Sequence, residues 1–158
     1  YPYSYIANSG SFTSGTQYFI PFTALEDATI TALEIQCYSA RANGTVSLGI
    51  YASDGNNDIA NPLFTSNPIN CSTTGVKNAP CNVQITKGKV YWLSALPIGA
   101  TSFSCNTLDS LPLLKGSATA TQTASIGYCT TNNARMAQSA PANKVDASAA
   151  PRVMFITG

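Results

Sequence analysis

The residues able to do chemistry in this chain are five cysteines, seven carboxylates and a set of tyrosines, and no histidine stands beside them. That removes the usual general base, the commonest metal ligand and the side chain that titrates near neutral pH. A Ser or Cys nucleophile would need another base, and neither Ser-x-x-Lys nor Gly-x-Ser-x-Gly occurs. Glycoside hydrolysis needs only two facing carboxylates. The seven are Glu26, Asp27, Glu34, Asp54, Asp58, Asp109 and Asp146. Most fall in turn-like stretches, Glu34 projects from the outward side of a strand pattern, and no spacing pairs them. No catalytic residue is assigned, and the chain is expected not to be an enzyme.

The cysteines are Cys37, Cys71, Cys81, Cys105 and Cys129. No CxxC is present, and zinc would have to bind without His, so no metal site is expected. Cys71 and Cys81 bracket Gly75-Val76, read as a turn, and can staple it; closing about ten residues gains about 2.7 kcal/mol on the chain-entropy estimate. Cys105 and Cys129 flank a polar stretch and form the next pair. Cys37 has two readings: a small buried hydrophobe alternating with Leu33 and Ile35, or an odd thiol that links one subunit to another. Disulfides of either kind suit an oxidising exterior.

Asp54, Asn56 and Asp58 alternate like the first oxygen ligands of a calcium loop. The Gly and the distant Glu of such a loop are missing, so an Asp-Gly hairpin is the better reading and no cofactor is expected. Tyr38, Tyr51 and Tyr91 are candidate glycan contacts, because a pyranose presents an apolar face to an aromatic ring. Exposed Tyr is equally ordinary interface material. Asn43-Gly44-Thr45 and Asn70-Cys71-Ser72 match glycosylation sequons.

The elements that must position these residues are strands. Thr45 to Asp58, TVSLGIYASDGNND, alternates Val46, Leu48 and Ile50 against Ser47, Gly49 and Tyr51, then stops at Asp54-Gly55. Lys89 to Leu96, KVYWLSAL, is rich in β-branched and aromatic residues. Further strands are predicted at Tyr18 to Phe22, with Pro21 marking an edge, and at Thr29 to Tyr38, Leu63 to Ser66, Asn82 to Thr86 and Val153 to Ile156. From Leu96 to Val153 the pattern weakens. Gly116 to Ser125 is nearly all Ser, Thr and Ala, and Ala134 to Ala150 is Ala-rich, with Pro141 favouring an extended loop over a helix. The division is an N-terminal arm, 1–15, and one β-sandwich domain, 16–158, with a loop-rich excursion over 97–150.

Composition agrees. A chain of 158 residues suffices for one domain with a proper core. Only 9% of residues are charged, far below the usual quarter, and Ser, Thr, Asn and Ala replace them, leaving a neutral, hydroxyl-rich surface. Eight Lys and Arg against seven Asp and Glu make no basic field for a phosphate backbone, so nucleic acid is not an expected partner. No apolar run nears the roughly 20 residues that span a bilayer, so no membrane partner is expected. The start, Tyr1-Pro2-Tyr3-Ser4-Tyr5, suggests a processed or trimmed chain.

A strand ending LGIY before a DG loop, a Gly-Val turn, a strand ending YWLSA and the terminal Ala149-Ala150-Pro151-Arg152-Val153-Met154-Phe155 together resemble a jelly-roll-like β-sandwich of bacteriophage virion surface proteins, also seen in some secreted bacterial proteins. The resemblance spans roughly Phe19 to Ile156. It implies an all-β fold, a single antiparallel sandwich with a long polar loop region in the C-terminal third. It also implies a non-enzymatic head decoration, spike or tail-fibre module on the virion surface, outside the cell, which stabilises the particle or mediates adhesion. Partners would be copies of itself, as a trimer, other virion proteins, and a host-surface glycan. Two alternatives are a carbohydrate-binding module, at a fibre tip or secreted, and an extracellular filament subunit whose Tyr1 to Ser14 reaches into a neighbour.

Overall fold

Alternation along Thr45–Ser53 (β4) sends Val46, Leu48 and Ile50 to one side and Ser47, Gly49 and Tyr51 to the other, and all three aliphatic residues are fully buried. Beside it runs Val90–Ile98 (β8), antiparallel, with Leu48 opposite Ala95 and Ile50 opposite Leu93. These two strands form the middle of one sheet. The structure, a computed structural model, describes residues 8–99, 101–106, 127–147 and 150–158, without the side chains of 8, 9, 101, 103–106 and 146. Among the described residues there is no helix, and the fold is an antiparallel β-sandwich, as the strand pattern predicts.

The β8 sheet continues from β8 through Gln17–Thr23 (β2) and Gly127–Thr130 (β10) to Val145–Ala147 (β11). On the other side β4 pairs with Ile59–Thr65 (β5) and with the short Ile69–Asn70 (β6). The second sheet is centred on Ala28–Ser39 (β3), which lies between Gly75–Ile85 (β7) and Val153–Thr157 (β13). Its far end pairs with Thr101–Asn106 (β9), which in turn pairs with Asn8–Phe12 (β1) and Ala150–Pro151 (β12). Ile30, Leu33, Ile35 and Cys37 of β3 meet Val46, Leu48, Ile50 and Leu93 of the β8 sheet in a single core. That placement matches the face expected for Cys37, which is fully buried.

Three expectations change. Gly75-Val76 is not a turn: Gly75, with φ of 111°, starts an eleven-residue strand in which Lys77 and Ala79 point inward opposite Ile35 and Leu33. Pro80 falls where the β3–β7 ladder is irregular and costs no bond to a further strand. The segment expected as an arm folds over Asn8–Phe12 into β1; residues 1–7 lie outside the described part. In the β4–β5 turn the left-handed residue is Asn57 (φ 59°), since Asp54 Oδ1 accepts hydrogen bonds from the Asn56 and Asp58 amides and moves the sharp bend past Gly55.

Candidate functional site

The outer side of the β8 sheet carries a row of aromatic residues, one strand after another: Tyr128 on β10, Phe19 on β2, Trp92 on β8 and Tyr51 on β4. A β-strand with one wet face would place small or polar groups there. Instead Phe19, Tyr51, Trp92, Leu96 and Ile59 form a second buried cluster, closed by Met136 from the irregular segment 131–144. Phe19 and Tyr51 meet edge to face at 5.2 Å, and Trp92 stacks on Tyr128 at 5.4 Å. Met136 Cε lies where a side chain at Gly49 would begin: a Cβ there would approach it to 2.6 Å, so Gly49 makes room for the cover.

Polar atoms fix that cover in register. Buried Gln17 donates to the Tyr51 hydroxyl and to Ser94 Oγ, both at 2.9 Å, while its Oε1 accepts from the Ala137 amide. Tyr51 donates to the Ala137 carbonyl at 2.6 Å, and Ser94 Oγ donates to the Tyr18 carbonyl at 2.7 Å. Every hydroxyl in this knot bonds to protein, and together these bonds lock the cover to the sheet. Burial pushes the Tyr51 phenol up to about 12, against the lowering effect of the Gln17 bond. A raised folded-state pKa contributes fully below pH 10 and is lost as pH climbs through 12. Stability should therefore fall by up to roughly 3 kcal/mol across that window. Urea titrations at pH 9 and pH 12 should show the loss, and Tyr51→Phe should flatten it; an equal loss in the variant would place the titration elsewhere.

At the rim Lys144 bonds to Asp58 Oδ2 and sits 5.4 Å from the centre of the Tyr128 ring. Partial burial acts upward on the Asp58 carboxyl, but the Lys144 ammonium and the Ile59 amide hold it below its usual value. Of the three residues considered for calcium, Asp54 uses Oδ1 in its own turn, where it accepts from the Asn56 and Asp58 amides, and Asp58 Oδ2 bonds to Lys144. No group of three or more Cys, Asp or Glu suited to a metal occurs among the described residues. Of the other carboxylates, Glu34 accepts from Asn78 and Asp27 accepts from the Lys87 amide. Asp109 and the Asp146 side chain lie outside the described part.

The tyrosines separate sharply. Tyr51 is enclosed under the cover and Tyr91 is buried in the main core with its hydroxyl on the Thr86 amide, so neither offers a ring to a sugar. Tyr38 is 49% exposed on the outward side of β3. The cysteines also differ from the expected pairs. Cys37, Cys71, Cys81 and Cys129 are free thiols. Cys81 lies six residues along an extended strand from Gly75, roughly 20 Å away, so it cannot reach Cys71. Cys81 instead donates to the Ile30 carbonyl. The Cys105 side chain lies outside the described part, and with it the pairing to Cys129.

The outer side of the β3 sheet is of another kind. Ile156, Ala32 and Pro80 stand side by side on three strands, followed by Met154, Glu34 and Asn78, then Gln36 and Val76. Val76 is 55%, Ile156 42% and Met154 39% exposed, and Glu34 is the one charged residue in these three rows. Sequence alternation already placed Glu34 and Tyr38 on this side. It did not bring Val76 or Pro80 to them, because the sequence reads Gly75-Val76 as a turn and starts the strand only at Asn82. No family model matches the chain, and no curated protein matches it.

Proposed function

We propose that the protein is a non-enzymatic structural subunit on the outside of a bacteriophage particle, a decoration, spike or fibre module that works as a homotrimer. The observation that carries the reading is the apolar outer face of the β3 sheet, where Val76, Met154 and Ile156 stand exposed with little charge among them. Such a face favours contact with protein over contact with water or a polyanion. Copies of one chain that meet through it around a threefold axis close into a ring and avoid an open filament. The resemblance to phage virion sandwiches supplies the setting. The burial of Tyr51 and Tyr91 weighs against the carbohydrate-binding alternative, leaving Tyr38 as its candidate contact.

Sedimentation equilibrium tests the assembly. A trimer is expected, and replacing Met154 and Ile156 together by Lys should shift it to monomer while the unfolding free energy of the monomer changes by about 0.5 kcal/mol per substitution or less, as for surface changes elsewhere. A wild-type protein that sediments as a stable monomer at micromolar concentration overturns this reading. Retention on a glycan array that is lost with Tyr38→Ala would favour the binding-module alternative.

A further inference from the structure

Cys37 and Cys71 come from opposite sheets, β3 and the end of β6, yet both are fully buried and belong to the same core cluster. The backbone brings them together. Cys71 donates its amide to the Gly44 carbonyl and accepts from the Arg41 amide, so it is tied at both ends to the turn that follows β3. The Cys37 thiol donates to the Ser39 carbonyl and the Cys71 thiol to the Ile69 carbonyl, and Cys37 is near enough to help push the Cys71 thiol up. We propose that these two residues form a disulfide that joins the sheets across the core. The inference is independent of the phage reading.

The chemistry is thiol–disulfide exchange with a small-molecule disulfide as oxidant. The Cys71 thiolate attacks one sulfur of the oxidant and displaces one thiolate; the Cys37 thiolate then attacks Cys71 Sγ and displaces the second. Two protein thiols lose two protons and two electrons, and the oxidant is reduced to two thiols. Burial first, and next the Cys37 thiol, push Cys71 up to about 11, although the Lys77 ammonium acts in the opposite direction. In the closed core Cys71 therefore stays protonated, and both buried cysteines are out of contact with oxidant. The bond forms as the chain folds and is then shielded from reductant. The 35-residue loop from Cys37 to Cys71 encloses β4, β5 and β6, so the link ties the β3 sheet to half of its partner.

Trypsin reads the outcome directly, because Arg41, Lys77, Lys87, Lys89, Lys115 and Arg135 place each of the five cysteines in its own peptide. Protein refolded with oxidised and reduced glutathione should, before alkylation, weigh 2 Da less than the reduced chain for this bond, and it is then denatured, alkylated and digested. It should also yield peptide 1–41 joined to 42–77. Reductant added to the native protein should leave the link intact for far longer than reductant added in denaturant. Cys81→Ala should keep the link and Cys37→Ala should abolish it. The map of the wild-type protein stands even if Cys37→Ala fails to fold. Five alkylated cysteines after oxidative refolding, or Cys71 joined to any other peptide, overturns the proposal.

Discussion

Trp92→Ala is expected to cost about 3–5 kcal/mol of folding stability, the usual range for deleting a buried large aromatic residue. Trp92 is enclosed between the β8 sheet and Tyr128, and its loss opens the cluster that Met136 closes. The damage should be directional. Segment 131–144 contains Arg135, and with its apolar anchor gone tryptic cleavage there should accelerate well before the sandwich unfolds. Trp92→Phe should cost less: it keeps a ring against Tyr128 and removes an indole N–H that has no hydrogen-bond partner among the described residues. Chemical denaturation and timed proteolysis check both statements. Cleavage at Arg135 that rises only in step with global unfolding would show that the cover and the sandwich are one cooperative unit.

Leu48→Ala should cost about 2–5 kcal/mol, through lost burial and the cavity left between rigid neighbours. Leu48 is fully buried between Val46 and Ile50 in the core that both sheets share. Here no part of the molecule should loosen first. Denaturation should stay two-state with an unchanged slope, and proteolytic sites should open together. A loss below about 1 kcal/mol would mean that the sheets meet elsewhere than along β3 and β4. Comparing the two variants separates the layers: one substitution acts on the interior of the sandwich, the other on the covering over the outer side of the β8 sheet.

That covering changes what the molecule can present to a partner. The aromatic row on the β8 sheet would be a ready surface for sugars if it were open, but Gln17, Tyr51, Ser94 and the backbone of Ala137 hold it shut. On the outer face of the β3 sheet, by contrast, Val76, Met154 and Ile156 stay exposed. A disulfide between Cys37 and Cys71 would stiffen the sheet behind that face without using any residue on it.

Sequence alone determined the strands whose sides differ. Leu33, Ile35 and Cys37, and Val46, Leu48 and Ile50, show a period of two because one side of each strand is dry, and that contrast is written in neighbouring residues. It also placed Tyr51 on the side of β4 away from the main core. Alternation states which side a residue takes, however, and not what later lies over that side. Segment 131–144, poor in large apolar residues, carries no period of its own, so only the folded chain reveals that it buries Tyr51 and Trp92. The cysteines show the same limit. Spacing suggested Cys71 with Cys81 because ten residues can fold back on themselves, but the inward alternation of Lys77 and Ala79 along β7 keeps that stretch extended. Cys37 and Cys71 meet because β3 and β6 belong to different sheets that pack face to face, a relation between distant parts of the chain that only tertiary structure decides.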